Sequence, residues 1–457
     1  MTSSTTLLDH DFPDGFSGDV IEPDSPGYDD ARRTALASGT PAVVLRPANV
    51  TDVRTAVAFA ARTGLALSVR GGGHGFPGFG TNDGGVVIDL GRMSGTEVVD
   101  HQRHLVRIGG GATWGSVADV LATHGLAISS GDTRTVGVGG LTLSGGIGWK
   151  VRKHGLALDS LVAAEVVTAG GDIVRASAEE NPELFWALRG GGGSFGIVTA
   201  FEFRAHRTTD VFHGRIAFAA AEASDVLRSW ADLLRSAPDE LTSTLELANP
   251  FTGGPESPVE VAVVYDGDDP RRAAEAIDPI RRLGRVVHDD VALTPYAATL
   301  AEGMVLPPGL RIVTRNGFVD ATSVPDVVSI LTDVATAKGS PFLGVRSLGG
   351  AVSRVPGDAT AYAHRAAELV VVTTIGGPAP AVEAALPALE AVWARLAPHV
   401  NGAYANFLSS ATDSDVAAIY PTDTRARLTE IKRRYDPENL FRANHNVRPG
   451  STVQARA

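Results

Sequence analysis

Along residues 36–208, short apolar runs alternate with stretches whose apolar positions recur every three to four residues. The runs at 42–46, 65–69, 86–90, 105–108, 162–168, 173–176 and 197–204 have the length and β-branched content of strands. Between the first two lies a stretch of helical period. A helix is therefore predicted over 50–62, with Pro47 ahead of it and Asn49 or Thr51 as its cap. A second helix is expected over 113–124, stopped by Gly125. Ala169-Gly170-Gly171-Asp172 joins two strands as a hairpin, and Asn181-Pro182-Glu183 opens a short helix ending at Arg189. Residues 1–35 read as a polar lead-in.

Beyond 209 the texture changes. Helical periods over 222–236, 271–283 and 324–338 alternate with strand-like runs at 259–265, 311–318, 342–348 and 368–374. That order suits an antiparallel sheet covered by helices on one face. A last helix is expected over 424–434. The fold class is α+β, with one unit over 36–208 and a second from 209 onward.

Three glycine-rich segments interrupt the first unit. Val69-Arg70-Gly71-Gly72-Gly73-His74-Gly75 follows a strand, where glycines permit a tight turn and close approach of backbone to a ligand. Successive exposed N–H groups of this kind make an anion-binding nest suited to a diphosphate. The second segment runs from Gly131 to Trp149 and the third from Leu188 to Val198. None has the P-loop spacing, and no strand precedes Gly137-Val138-Gly139-Gly140 as a Rossmann fingerprint requires. Tight turns alone would account for any one segment. Three in one unit point to one long phosphate-bearing ligand wrapped by backbone.

Composition narrows the partners. The formal charge of -12 argues against nucleic acid and anionic membranes as partners. There is no cysteine, which excludes disulfides, thiolate metal sites and cysteine nucleophiles. No HExxH helix or His/Asp/Glu cluster indicates a metal. No basic-then-apolar leader opens the chain, and no run reaches the ~18 apolar residues of a membrane helix. A cytoplasmic location is expected. Only four of the 40 basic residues are lysine, a bias expected of a GC-rich bacterial genome.

Several stretches together resemble a known family. They are Arg70–His74, Val136–Trp149, Asn181–Gly190, Gly193–Val198, Tyr435–Phe441 and Asn444-His445-Asn446. In order along nearly the whole chain, they resemble FAD-linked oxidases of the berberine bridge enzyme-like branch of the vanillyl-alcohol oxidase superfamily. The resemblance implies a PCMH-type FAD-binding domain over 36–208, a substrate-binding domain over 209–405, and a C-terminal segment, 406–457, returning to the FAD domain. It implies FAD contacts from Arg70, Gly71, Gly72, Gly73, His74 and Gly75. Further contacts are implied from Gly131, Thr133, Val136, Gly137, Gly139, Gly140, Thr142, Ser144, Gly145 and Gly148. Gly196, Ile197, Val198, Asn444 and Asn446 complete the set. His74 stands where the family links histidine to the flavin 8α carbon. Many relatives add a cysteinyl bond at the position of Thr133, which has no thiol, so a single covalent bond is expected.

The resemblance implies a small-molecule substrate and O2 as partners. The implied chemistry is hydride transfer from a C–H beside an alcohol or amine to flavin N5, followed by reoxidation by O2 to hydrogen peroxide. Val136 falls at the family's oxygen gate, where valine resembles oxidases. Tyr404 matches a segment lining the flavin face and is the candidate base, with Arg346 as the cation that lowers its pKa or clamps a substrate carboxylate. Gly344 stands where many relatives have a carboxylate. Asn406 and Tyr420 are further candidates, and Trp149 and Trp186 are expected to be packing residues. A flavin-dependent oxygenase or a non-redox cyclase of secondary metabolism are the alternative outcomes of the same architecture.

Overall fold

The computed structural model describes residues 15–247, 258–335 and 340–450. Its first sheet has the order Asp19–Ile21, Val43–Arg46, Val86–Asp89, Leu67–Arg70, the last three strands parallel and the first antiparallel. Val43, Leu45, Val86 and Ile88 pack toward the helix Val50–Thr63, while Val44 and Val87 pack with Ile21 and Ala31 on the opposite face. Both faces being covered explains why these strands read as continuous apolar runs. Of the two candidate caps, Asn49 is the one used: its side chain accepts from Asp52 N at 3.0 Å. The helix ends at Gly64 with φ +68°.

The reading of 1–35 as a lead-in needs correction over its described part. Asp19–Ile21 is a strand, Tyr28–Ala31 is a helical turn, and the carbonyls of Ala31 and Arg33 accept from Arg70. Such order comes from backbone pairing, which a hydrophobic pattern does not reveal. Residues 1–14, on which the expected lack of a leader rests, lie outside the described residues.

The second sheet is antiparallel, ordered Thr96–Asp100, Leu105–Gly109, Ile197–Arg204, Leu161–Val167, Ile173–Ser177. The helices Trp114–Ala122 and Pro182–Leu188 pack against it. Its core takes in Leu408, Val416, Ile419, Leu428 and Ile431, so the end of the chain shares one apolar interior with residues 106–205.

The third sheet holds eight antiparallel strands. Seven run in the order Val286–Asp289, Val211–Phe218, Val259–Tyr265, Leu241–Leu247, Phe342–Ser347, Leu369–Pro378, Leu310–Val319, and Ala292–Thr294 also pairs with the second of these. The helices Ala223–Ser236, Pro270–Arg281, Val324–Ala335 and Ala379–Leu396 cover one face. The last three residues of the helix expected over 324–338 lie outside the described residues. The opposite face presents Arg346 to the second glycine-rich segment and Asn316 to the backbone of Tyr404. Among the described residues no helix is long and apolar enough to cross a membrane.

Candidate active site

The strand Leu67–Arg70 delivers the first glycine segment onto the second. A Cβ at Gly72 would lie 2.2 Å from Gly137 N, and one at Gly137 would lie 2.3 Å from Gly72 N, so the two backbones touch where no side chain fits. The third segment hangs on the second, with Gly190 N and Gly192 N both donating to Leu143 O at 3.0 Å. Gly190, Gly192 and Gly196 have φ of +123°, +71° and +154°. Part of the second segment is helical, Val138–Leu143.

The three segments line one open cavity of about 470 Å³, whose walls also include Tyr404–Phe407 and Ala443–His445. Its walls include Arg70, Gly71, Gly72, Gly73, His74 and Gly75 from the first segment. Gly131, Thr133, Val136, Gly137, Gly139, Gly140 and Ser144 come from the second. Gly196, Ile197, Val198, Asn444, Arg346 and Tyr404 complete the expected residues found there. Thr142, Gly145, Gly148 and Asn446 stand outside the lining. Thr142 is buried inside the short helix, and a Cβ at Gly148 would lie 1.5 Å from Ser130 O. Asn444 braces the third segment, accepting from Ser194 Oγ at 3.0 Å and donating to Phe441 O at 3.2 Å. Trp149 and Trp186 are buried.

Arg70 is turned away from the space. Its guanidinium donates to Ala31 O, Arg33 O and Asp89 Oδ2 at 2.7–2.9 Å, leaving backbone N–H groups to face a diphosphate. Gly140 has no atom within 4 Å of a would-be Cβ, and Gly75 and Gly193 have only distant side-chain neighbours at 3.9 and 4.0 Å. The two arginines of the lining, Arg70 and Arg346, are each paired with a carboxylate, so this is a backbone cradle that fits a dinucleotide. His74 is half-buried in the wall, and burial pushes its imidazole below the ordinary value, toward the neutral form.

Tyr404 also lines the cavity, 2% exposed. Its hydroxyl oxygen receives Gly146 N–H at 2.9 Å, Ile147 N–H at 3.3 Å and Asn406 Nδ2 at 2.9 Å. Asn316 fixes the backbone beneath it, donating to Tyr404 O at 2.9 Å and accepting from Tyr404 N at 2.6 Å. The expectation that a neighbouring cation lowers the Tyr404 pKa is corrected. Burial dominates and raises it, against the opposing pull of the three donors and of Arg346. Arg346 is itself neutralised by Asp132, Nη1 to Oδ2 2.5 Å, and lies over the Phe407 ring at 5.1 Å. Burial opposes the charge on Asp132, but Arg346 together with hydrogen bonds from Thr133 and the Asp132 backbone holds the carboxyl below its ordinary range.

Asp132, Phe79, Ile147, Phe407 and His445 line the cavity without having been anticipated. Asp132 lies between Gly131 and Thr133, both expected, and its own signal was a carboxylate inside a glycine-rich segment. Tyr420, a secondary candidate, is buried in the wall and its hydroxyl is pushed well up by burial.

Comparison with known proteins agrees with this geometry. Residues 41–177 match the family described as FAD binding domain, and 403–448 match the family described as berberine and berberine like. The chain is 32% identical to (R)-6-hydroxynicotine oxidase of Paenarthrobacter nicotinovorans, over 96% of this chain and 98% of that protein. It is 31% identical to xylooligosaccharide oxidase of Thermothelomyces thermophilus, over 90% and 88%. The solved 6-hydroxy-D-nicotine oxidase from Arthrobacter nicotinovorans superposes with a TM-score of 0.84 at 30% identity, covering 97% of this chain and all of that one. Glucooligosaccharide oxidase from Acremonium strictum, described with a 6-S-cysteinyl, 8α-N1-histidyl FAD, superposes at 0.83 and 26% identity, over 95% and 98%. Backbone cradle, shared core and full-length likeness converge: this chain belongs to the berberine bridge enzyme-like family of FAD-linked oxidoreductases.

Proposed function

We propose that the protein is an oxidase of a small metabolite that carries an oxidisable C–H beside an alcohol or amine. FAD bound along the three glycine segments supplies the acceptor for the hydride and passes the electron pair to dioxygen, giving hydrogen peroxide. Residues 36–208 hold the cofactor, 209–405 form the substrate side and 406–457 return to the cofactor side; the shared core of 106–205 with 408–431 supports that division.

In this reading His74 carries the single covalent bond to the 8α carbon. Burial keeps its ring neutral, which leaves a nitrogen lone pair available at neutral pH. Such a link would replace one C–H bond of the 8α methyl and the N–H bond of the imidazole with one C–N bond, and the two protons and the electron pair released would reduce dioxygen to hydrogen peroxide. The absence of cysteine leaves Thr133 without a thioether. Val136, partly buried in the wall, serves as the oxygen gate. Val136→Leu is expected to slow reoxidation by oxygen while substrate reduction of the flavin stays unchanged, as read by stopped-flow of each half-reaction; equal rates in both would remove the gate.

Tyr404 is the proton acceptor for the substrate O–H or N–H. The observation that carries this role is the set of three N–H groups aimed at one phenolic oxygen on the cavity wall. The three donors and Arg346 pull toward the phenolate while burial outweighs them, so the proton-accepting phenolate is a minor form at neutral pH and grows as pH rises. Arg346, held by Asp132, orients the substrate beside it. The test is anaerobic bleaching of the flavin by a panel of cyclic amines and oligosaccharides. For whichever compound bleaches the wild type, Tyr404→Phe should slow reduction ~10²-fold or more. An unchanged rate would remove Tyr404 from proton transfer.

A further inference from the structure

One element contacts both the first and the second glycine segments from outside. Residues 300–309 connect the helical turn Tyr296–Thr299 to the strand Leu310–Val319, on the substrate side. At its start this stretch pairs in parallel with the second segment: Ala301 N donates to Asp132 O at 2.8 Å, and Arg134 N donates to Ala301 O at 2.8 Å. The two hydrogen bonds bracket Thr133. The Arg134 side chain adds a bond from Nη1 to Ala297 O at 3.3 Å and an ion pair with Glu302 at 3.5 Å. Further along, Leu306 N donates to Ala35 O at 2.8 Å, and Ala35 N donates to Gly73 O at 3.2 Å. The second anchor therefore ends beside His74.

Gly303 lies between the anchors. A Cβ there would stand 1.7 Å from Thr135 Oγ1, 3.0 Å from Thr135 Cβ and 3.1 Å from His74 Cε1. The glycine thus lets this backbone pass against Thr135 with the imidazole beside it, where a side chain would strike Thr135 first and crowd the ring. Met304, next in the chain, reaches the cavity wall.

We propose that residues 300–309 are a strap that fixes the His74 imidazole and the 131–135 loop for flavin attachment, with Gly303 as the positioning residue. The inference rests on the His74 linkage proposed above. Attachment demands a ring nitrogen aligned with one carbon, and a displacement of about 1 Å is enough to slow such a step by orders of magnitude. In the glucooligosaccharide oxidase a cysteinyl bond gives the flavin a second attachment. In this chain the strap clasps the backbone at Thr133 by hydrogen bonds from both sides. It restrains the loop without a second covalent bond.

The test is acid precipitation of the purified holoproteins, with flavin measured in pellet and supernatant. Wild type is expected to retain its flavin in the pellet, and His74→Ala to release it. Gly303→Val should still bind FAD, but its acid-stable fraction should fall roughly tenfold or more as the imidazole is displaced. Ala301→Pro removes the N–H given to Asp132 and should lower the same fraction with less disturbance of packing. Val305→Ser, at a side chain 71% exposed on the same strap, should retain flavin as the wild type does. If wild type retains its flavin and both Gly303→Val and Ala301→Pro retain theirs in full, the strap is overturned while the linkage stands. If wild type itself releases its flavin to acid, the linkage is overturned and the strap with it.

Discussion

At residue scale the cofactor cradle depends on what is missing from Gly72 and Gly137. Each faces the other's backbone at 2.2–2.3 Å from a would-be Cβ, and a peptide backbone cannot swing aside as a flexible side chain does. Gly72→Ala should therefore open the joint between the first two segments and lower the FAD-to-protein ratio of the purified enzyme. A full complement of FAD would show that the joint tolerates separation. Tyr404 carries a pH signature. Its pKa lies above the ordinary phenol value, so flavin reduction that needs the phenolate should rise continuously with pH and show no plateau below about pH 10. A plateau near neutrality would assign the proton to another group. His74, Tyr404 and the glycines were legible in the sequence because each sits in a local motif. The Arg346–Asp132 pair was not, since its partners stand 214 residues apart and meet only through the fold.

At the scale of elements, the helices and strands that could be read were those whose burial follows a period. Asn49 before an amphipathic run announced the helix Val50–Thr63. Asn49→Ala should cost about 1 kcal/mol of stability, measured by urea unfolding, through loss of the cap to Asp52 N; no change would mean that Asp52, which accepts from Ser17 and Ala48, anchors this end alone. The 18-residue helix Ala379–Leu396 was not anticipated, and it carries Pro380 and Pro387, a residue type that ordinarily interrupts helices. Its apolar positions Val382, Leu389, Val392 and Leu396 nevertheless pack on the sheet. The strand Leu241–Leu247 was missed for a different reason. Its Thr and Ser positions lower its hydrophobicity, although Leu241, Leu245 and Leu247 alternate onto the helix-covered face.

At the scale of the whole molecule, a buried charge network joins the second glycine segment to the large sheet. Lys150, fully buried, donates to Asp266 at the end of Val259–Tyr265 and to Thr208 at 3.0 Å, and lies 4.4 Å from the Tyr296 ring centroid. His154 stands 3.3 Å from Asp266 and stacks on His206 at 4.0 Å, and His206 Nε2 meets Ser160 Oγ at 3.1 Å. Burial lowers His206 to about 4, helped by His154, Lys150 and Arg204 against the pull of Asp266. The unfolded chain takes up this proton near 6.5, so between 6.5 and 4 it binds more protons than the folded one. Stability present above pH 6.5 is accordingly lost as pH falls toward 4. His206→Gln should flatten that loss, as followed by thermal unfolding at several pH values; an unaltered slope would place the acid sensitivity elsewhere. Three cradling segments, a buried tyrosine under three donors and a family of FAD-linked oxidoreductases make the oxidase reaction the central claim. Its most direct test is hydrogen peroxide measured against substrate consumed, in air, for the compound that bleaches the flavin anaerobically. Equal amounts of the two are predicted; substrate consumed with no matching peroxide would contradict an oxidase.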